Sequence, residues 1–278
     1  MERYNHGSAN DAVECFDRAI EIFGKDVNKK RDLADTYRDK GFAHGKIKGH
    51  DKDAIQCFKK STETEPEYPY AWNSLGYYIL NTQQNDNKAI KEAIEYFDKA
   101  IALEPNFSYA WNTKGYALTS LERYNEAIKC FDKDLKIRPE LASIEVEPKF
   151  DYVSNTKGYA LYSLKRYTEA IECFDKILSK PYSDKASEIN RAYFIRGQSK
   201  FMLEDYVGAL EDFTKINDTD LDDTKTNETD LKNEKHNNIG LCYQKQNLFE
   251  EAEREYLEAI NSTSQRTKAT AYYNLGVL

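Results

Sequence analysis

The chain has 278 residues, of which 40% are hydrophobic and 32% charged, a composition that suits a soluble helical protein. Its net charge of −8 argues against a non-specific nucleic-acid binder, because such a protein needs a basic surface to neutralise phosphates. No segment approaches the roughly 20 consecutive apolar residues of a membrane span, and the mean hydropathy is −0.81. We therefore expect neither nucleic acid nor membrane among its partners.

The first predicted element is an amphipathic helix over residues 8–23, SANDAVECFDRAIEIF. It has the pattern of the second helix of a pair that recurs further along the chain. The residues before it do not combine a basic region with an apolar core, so we expect no secretory signal and a cytoplasmic location.

A repeated helix pair follows. Each copy is marked by a glycine, and successive glycines are separated by 35 to 43 residues. After most of these glycines come an aromatic residue, an alanine and a second aromatic residue, and several copies close with a proline. The glycines are Gly41, Gly76, Gly115, Gly158, Gly197, Gly240 and Gly276, and the prolines are Pro66, Pro105, Pro139 and Pro181.

The repeat around Gly115 shows why the pattern predicts an antiparallel pair. Trp111, Gly115 and Leu118 lie at i, i+4 and i+7 and therefore share one face of the first helix. Ala127 and Phe131 share a face of the second helix in the same way. Small residues at Gly115 and Ala127 would let the two helices approach closely, and the proline after the second helix would stop it.

This pattern resembles the tetratricopeptide repeat family, in which tryptophan or tyrosine, leucine, glycine, alanine, aromatic residues and proline stand at fixed offsets. The resemblance implies an all-α, right-handed superhelical solenoid of antiparallel helix pairs. In that register, residues 34–264 hold six repeats, flanked by a second helix alone in 1–24 and a first helix alone in 269–278. The repeats are 34–66, 69–105, 108–139, 151–182, 190–217 and 233–264, with insertions near 81–91, 142–150 and 217–232.

Several departures from the family pattern are visible. We expect residues 81–91 to lengthen the hairpin loop of the second repeat, and the polar segment 217–232 to form a solvated loop. That segment lacks the glycine and the glutamate that an EF-hand calcium loop needs. Asp134 replaces a small residue near the end of a second helix. The incomplete repeats at the two ends predict either a piece of a longer array or end-to-end self-association of copies.

The sequence carries no pattern typical of an enzyme or a metal site. Cys15, Cys57, Cys130 and Cys173 each precede a phenylalanine, so we interpret them as small buried residues at equivalent places of the repeats. No CxxC or HxxxH pair, phosphate-binding loop or nucleophile motif occurs. The four histidines are scattered along the chain. We therefore expect neither catalysis, nor a cofactor, nor a metal.

A stripe of asparagines and tyrosines follows the first helices. In the third repeat, Tyr109, Asn112 and Tyr116 lie at i, i+3 and i+7, rotated away from the face of Trp111. The resemblance implies that first helices line a concave groove and that residues at these offsets contact a bound peptide. We call this set the Asn/Tyr ladder. It comprises Asn73, Asn112, Asn155, Asn237 and Asn238 with Tyr70, Tyr77, Tyr109, Tyr116, Tyr152 and Tyr159.

The chemistry of these side chains favours recognition of an extended peptide. A carboxamide can pair with both the N–H and the C=O of a peptide backbone, and tyrosine adds a large contact area with a polar hydroxyl. The alternative is that the tyrosines pack against the next repeat and the asparagines only cover a polar face. A receptor for acidic chaperone tails is not favoured, because tyrosines occupy its asparagine positions at Tyr77, Tyr116 and Tyr159.

The sequence thus predicts a non-enzymatic protein-interaction scaffold whose partner is a protein or peptide. Two alternatives stay open. The array could be a structural spacer that self-associates through its ends, or it could be the regulatory arm of a larger enzyme.

Overall fold

The computed structural model describes residues 6–138, 152–179, 186–217, 226–261 and 264–278, and these residues are helical, with no strand among them. They divide into two compact units, one ending at Arg138 and the other following it. The prediction of an all-α chain built from helix pairs is confirmed. The first unit contains α1 (His6–Phe23), a 3₁₀ turn (Val27–Lys29), α2 (Lys30–Gly45), α3 (Asp51–Thr64), α4 (Pro69–Thr82), α5 (Asn87–Leu103), α6 (Ser108–Ser120) and α7 (Tyr124–Ile137).

The second unit is built from the same kind of pairs. Helix α8 packs with α9, α10 with α11 and α12 with α13, while α14 contacts both α12 and α13. These helices are α8 (Tyr152–Ser163), α9 (Tyr167–Leu178), α10 (Ala186–Met202), α11 (Tyr206–Thr214), α12 (Thr226–Lys245), α13 (Phe249–Ile260) and α14 (Gln265–Gly276).

The repeat glycine is the point where the two helices of a pair come closest. A Cβ added to Gly115 would lie 2.5 Å from Cε1 of Phe131, closer than real Cβ atoms approach an aromatic carbon. Phe131 is itself fully buried, so the ring fills the space that a side chain at Gly115 would need. The same relationship joins Gly41 to Phe58, Gly76 to Phe97, Gly158 to Phe174, Gly197 to Phe213 and Gly240 to Tyr256.

The repeat tryptophans connect successive pairs. The indole N–H of Trp111 donates to the carbonyl oxygen of Pro105 at 2.9 Å, and Trp72 donates to Pro66 in the same way at 2.8 Å. Each indole therefore ties the start of a first helix to the proline that closes the repeat before it.

Asp134 occupies a position that is small or apolar in the other repeats, yet it is fully buried. Arg138 donates two hydrogen bonds to its carboxylate, at 2.8 and 2.6 Å, and Ser108 donates a third at 2.5 Å. A buried carboxylate is tolerated when its oxygens are paired in this way. The departure from the repeat pattern at Asp134 is thus compensated by a cation one turn later and a hydroxyl on α6.

Two predicted loops prove to be partly helical. Only residues 83–86 separate α4 from α5. Asp86 caps α5 by accepting a hydrogen bond from the Lys88 amide at 2.8 Å, and the extra residues therefore extend α5 instead of lengthening the loop. The segment 217–232 is helical from Thr226 onwards, and Leu231 packs against the apolar cluster that contains Phe213. Residues 142–150 and 218–225 lie outside the described residues.

The prediction that the cysteines are buried holds for Cys57, Cys130 and Cys173, and it is wrong for Cys15, which is exposed. Within the described residues, no first helix precedes α1 to cover Cys15 as α2 covers Cys57 in the next repeat. The exposure of Cys15 thus follows from its surroundings, which differ from those of Cys57.

Candidate peptide-binding surface

In the first unit, the Asn/Tyr ladder lies on α4 and α6. Tyr70 and Tyr77 are each 44% exposed, and Tyr109 is 59% exposed. These are high values for tyrosines in helices that bury most of their other large side chains. Tyr116 is half-buried and packs edge-on against Phe131 at 5.8 Å between ring centroids. The prediction that tyrosines face outwards therefore fits three of the four in this unit, and Tyr116 is the one that supports the core.

The exposed tyrosines at the starts of α4 and α6 are joined by a buried ring. Phe107 lies 4.4 Å from Tyr70 and 6.2 Å from Tyr109, measured between ring centroids. The guanidinium of Arg138 lies 5.3 Å above the ring of Tyr109 and adds a cation–π contact. This packing fixes the two tyrosine rings while leaving about half of each in solvent.

Asn73 is engaged by the next repeat. Its Oδ1 lies 2.9 Å from the hydroxyl of Thr113 on α6, and that hydroxyl also lies 2.8 Å from the carbonyl oxygen of Tyr109. The hydroxyl proton is therefore shared in a three-centre bond. Because α4 and α6 are the first helices of consecutive repeats, Asn73 links those repeats.

Asn112 differs from Asn73 in one respect. Its Oδ1 is shielded from solvent and has no hydrogen-bond partner among the described residues. An unpaired buried acceptor costs about 1–3 kcal/mol, so a donor that reaches it would remove that cost. Tyr109 lies three residues before Asn112 and Tyr116 four residues after it, so both lie on the same face of α6 as Asn112.

In the second unit, the ladder begins on α8. Tyr152 and Tyr159 are 41% and 39% exposed, and Asn155 between them is half-buried. The hydroxyl of Tyr152 donates to Oε1 of Glu188 on α10 at 3.2 Å. Tyr162, next along the stripe, packs against Tyr167 at 5.8 Å, and burial raises the pKa of its hydroxyl. The outward-facing part of this helix face therefore ends near Tyr159.

The two asparagines of the sixth repeat are engaged in the fold. Asn237 is only 5% exposed; its Nδ2 donates to the carbonyl oxygen of Thr267 at 3.2 Å, and its Oδ1 accepts from Asn274 at 3.4 Å. Asn238 donates to the carbonyl oxygen of Glu234 on its own helix at 2.8 Å. Unlike the exposed tyrosines, these side chains use their polar atoms within the chain, so we leave them out of the binding proposal.

Asn73 and Asn237 make the same type of contact, which we call the inter-repeat asparagine bond. Each lies three residues before a repeat glycine and bonds a polar residue that lies two residues before the glycine of the next repeat. The partner of Asn73 is Thr113, and the partner of Asn237 is Asn274. Sequence reasoning missed Thr113 and Asn274 as partners. The residue two places before the next glycine was the available signal: it is Thr156 after Asn112, but Ile195, which cannot form such a bond, after Asn155.

Two models of the tetratricopeptide repeat family match the chain. One matches residues 96–129, and the other matches 70–107, 153–179 and 236–265. The chain contains tetratricopeptide repeats. The matched segments include the glycine, the aromatic pair and most of the Asn/Tyr ladder.

Several solved structures have the same fold. YrrB, described as a tetratricopeptide repeat protein with an unusual peptide-binding site, is 18% identical, with a TM-score of 0.61 over 80% of this chain and 99% of that chain. PilF of Pseudomonas aeruginosa is 17% identical, with a TM-score of 0.63 over 87% and 98%. The C-terminal part of a repeat-containing protein from Cytophaga hutchinsonii is 16% identical, with a TM-score of 0.61 over 96% and 99%.

At these identities the likeness shows the tetratricopeptide solenoid fold and nothing more specific. A search of curated proteins finds no match to the chain. None of the helices in the described parts of the chain combines the length and apolar character needed to cross a membrane.

Proposed function

We propose that the chain is a non-enzymatic interaction scaffold that binds an extended peptide along the first helices of its tetratricopeptide repeats. The observation that carries the proposal is the unpaired Oδ1 of Asn112, flanked on one helix face by Tyr109 and Tyr116. Once the Asn112 carboxamide rotates outwards, a peptide N–H would satisfy this acceptor, and the exposed ring of Tyr109 would cover the peptide. The similar fold of YrrB, a tetratricopeptide repeat protein with an unusual peptide-binding site, supports the same class of ligand.

The proposed contacts are Asn112 with Tyr70, Tyr77 and Tyr109 in the first unit, and Asn155 with Tyr152 and Tyr159 in the second. A single carboxamide bond contributes only about 0.5–1.5 kcal/mol, so binding must draw on several contacts. Exposed tyrosines suit this purpose, because each presents a large rigid surface at low cost in conformational entropy. Since a carboxamide reads the peptide backbone, we expect broad sequence specificity with a preference for apolar or aromatic side chains in the ligand.

The proposal can be tested by selecting ligands from a random peptide library displayed on phage and then measuring the affinity of the best peptide by fluorescence polarisation. We expect Asn112→Ala/Asn155→Ala to weaken binding at least tenfold and Tyr109→Ala to weaken it further. The matched control is Asn238→Ala, whose carboxamide bonds its own helix and should leave the affinity unchanged. Full affinity in the Asn112→Ala/Asn155→Ala variant would exclude the ladder as the binding surface.

Self-association is a second candidate, favoured by the surface of α14. Tyr272, Tyr273 and Val277 are 61%, 71% and 58% exposed, which places several large side chains in water on one short helix. If copies associate through this surface, the mass measured by sedimentation should rise with concentration, and Tyr272→Ser/Tyr273→Ser should abolish the rise. A mass that stays constant up to high concentration would remove this candidate and leave the peptide scaffold.

A further inference from the structure

The loop between α2 and α3 brings two histidines and an aspartate together. His44 lies in the last turn of α2, His50 directly precedes α3, and Asp53 lies in the first turn of α3. The loop is closed by Ile47, whose N–H donates to the His44 carbonyl oxygen at 2.9 Å and whose own carbonyl oxygen accepts from the His50 amide at 3.1 Å. Gly49 has a φ of 87°, a left-handed conformation that lets the chain turn back.

The three side chains lie close together. The imidazole rings of His44 and His50 are nearly parallel, at 10°, with centroids 5.5 Å apart. One ligand atom from each of His44, His50 and Asp53 lies within 4.8 Å of the other two. Nothing in the repeat pattern requires this arrangement, because the other described hairpins have no histidine at either place.

Two nitrogens in the cluster lack the partners that a structural role would give them. Nδ1 of His44 and Nδ1 of His50 are both shielded from solvent, and neither forms a hydrogen bond within the described residues. Nδ1 of His50 lies 3.1 Å from Oδ2 of Asp53 without the geometry of a hydrogen bond. Two ligands held at about 2.0–2.1 Å from a tetrahedral ion lie roughly 3.3 Å apart, so this spacing suits atoms that share one ion.

We propose that His44, His50 and Asp53 bind a divalent transition-metal ion of the zinc class. Imidazole nitrogens with one carboxylate oxygen form a ligand set typical of zinc, whereas magnesium and calcium prefer oxygen ligands throughout. The side chains of His50 and Asp53 are 42% and 55% exposed, which gives the ion a path from solvent and room for water as a fourth ligand.

The surroundings of His44 are compatible with a role as a ligand. Burial and then the charge of Lys40 lower the pKa of His44, which favours the neutral ring that a metal requires. Lys40 is itself paired with Asp17 at 2.5 Å, so part of its charge is neutralised. Asp51, beside the cluster, accepts a hydrogen bond from Tyr78 at 2.7 Å and is engaged in the fold.

A bound ion would join the end of α2 to the start of α3 and so stabilise the first repeat hairpin. The site shares no residue with the Asn/Tyr ladder, and the inference is therefore independent of the proposed peptide binding. Metal binding to the folded state raises stability in proportion to the logarithm of the free ion concentration.

The test uses the full chain without an affinity tag, titrated with Zn²⁺ by calorimetry and with Co²⁺ by visible absorption. We expect one ion per chain, an intense Co²⁺ spectrum typical of tetrahedral geometry, and a higher melting temperature with Zn²⁺. His44→Gln and His50→Gln should each weaken binding more than tenfold and abolish the thermal shift, and Asp53→Asn should weaken binding. Millimolar Mg²⁺ should not compete.

His236→Gln is the matched control, because His236 is a half-buried histidine already paired with Glu255 at 2.7 Å. It should bind Zn²⁺ as the unmodified chain does. Circular dichroism and the melting temperature without metal show whether each variant is folded; if His50→Gln does not fold, His44→Gln decides. The proposal is overturned if the chain does not bind Zn²⁺ at micromolar concentration, if both folded histidine variants bind it undiminished, or if Mg²⁺ or Ca²⁺ displaces it.

Discussion

The hydroxyl of Thr113 on α6 lies 2.9 Å from Oδ1 of Asn73 on α4, and this contact links the first helices of two consecutive repeats. Asn274 and Asn237 repeat the arrangement at the other end of the described chain, at 3.4 Å. Asparagine is a poor helix former, so its presence within a first helix needs a reason. In Asn73 and Asn237 the reason is the contact between neighbouring repeats, whereas for Asn112 and Asn155 we propose contact with a ligand.

Removal of the Asn73–Thr113 bond should destabilise the first unit. We expect Thr113→Val, which keeps the shape of the side chain, to lower the free energy of unfolding by about 0.5–1.5 kcal/mol in urea titrations. The control is Thr156→Val at the same place in the next repeat, where the hydroxyl bonds the Tyr152 carbonyl oxygen of its own helix. Equal losses in both variants would contradict an inter-repeat role for Thr113, and a double-mutant cycle with Asn73→Ala would measure the coupling directly.

The repeat glycine should tolerate no side chain where an aromatic ring covers it. Because a Cβ at Gly115 would lie 2.5 Å from Phe131, we expect Gly115→Ala to lower the free energy of unfolding by about 1–3 kcal/mol. Gly276 has the same place in the repeat pattern, but no atom lies within 4 Å of its added Cβ. Gly276→Ala should therefore be neutral or slightly stabilising, and a loss there equal to that of Gly115→Ala would show that ring contact is not the cause.

Much of the fold could be predicted from the sequence because it depends on local spacing. The contact between Gly115 and Phe131 is set by residues of one hairpin, and its recurrence in six repeats makes the register unambiguous. The exposure of Tyr77 and Tyr109 follows in the same way from helical periodicity. Such features require no knowledge of how one repeat meets the next.

The features that sequence reasoning missed depend on distant partners. Asn237 fits the ladder pattern, yet its burial is decided by Asn274, which lies 37 residues later. The polar stretch after residue 225 forms a helix because Leu231 reaches the apolar cluster around Phe213 and because Lys235 donates to the Ile216 carbonyl oxygen at 3.1 Å. The contacts that hold neighbouring repeats together are therefore harder to predict from one sequence than the repeat pattern itself.

Replacing Arg138 should lower the free energy of unfolding more than replacing its partner Asp134. Arg138→Gln leaves a fully buried carboxylate with only Ser108 as a donor, so we expect a loss of about 3 kcal/mol in the free energy of unfolding. Asp134→Ala leaves the guanidinium of Arg138 unpaired, but this side chain is 21% exposed and can turn into water. Alanine also occupies the place of Asp134 in the second and sixth repeats. Its expected loss is about 1 kcal/mol. Equal losses in urea titrations would contradict this account of the pair.

The five cysteines should differ in their reactivity towards a thiol reagent. Cys15 is exposed, whereas burial raises the pKa of Cys130 to about 11 and that of Cys242 to about 12. At pH 8 only roughly one in a thousand Cys130 thiols would be ionised, and the thiolate is the reactive form. We therefore expect one fast thiol per folded chain in a titration with Ellman's reagent, and all five in denaturant.

The variant Cys15→Ser identifies that thiol, because the folded protein should then show no fast reaction while its unfolded form shows four thiols. Raising the pH from 8 to 9 should increase the reaction rates of the buried thiols in proportion to their small thiolate fraction. It should not produce a second fast thiol, because burial also limits access to the reagent. A fast thiol that persists in folded Cys15→Ser would mean that one of the helix pairs around Cys57, Cys130, Cys173 or Cys242 opens readily. That result would contradict the close packing described for the repeats.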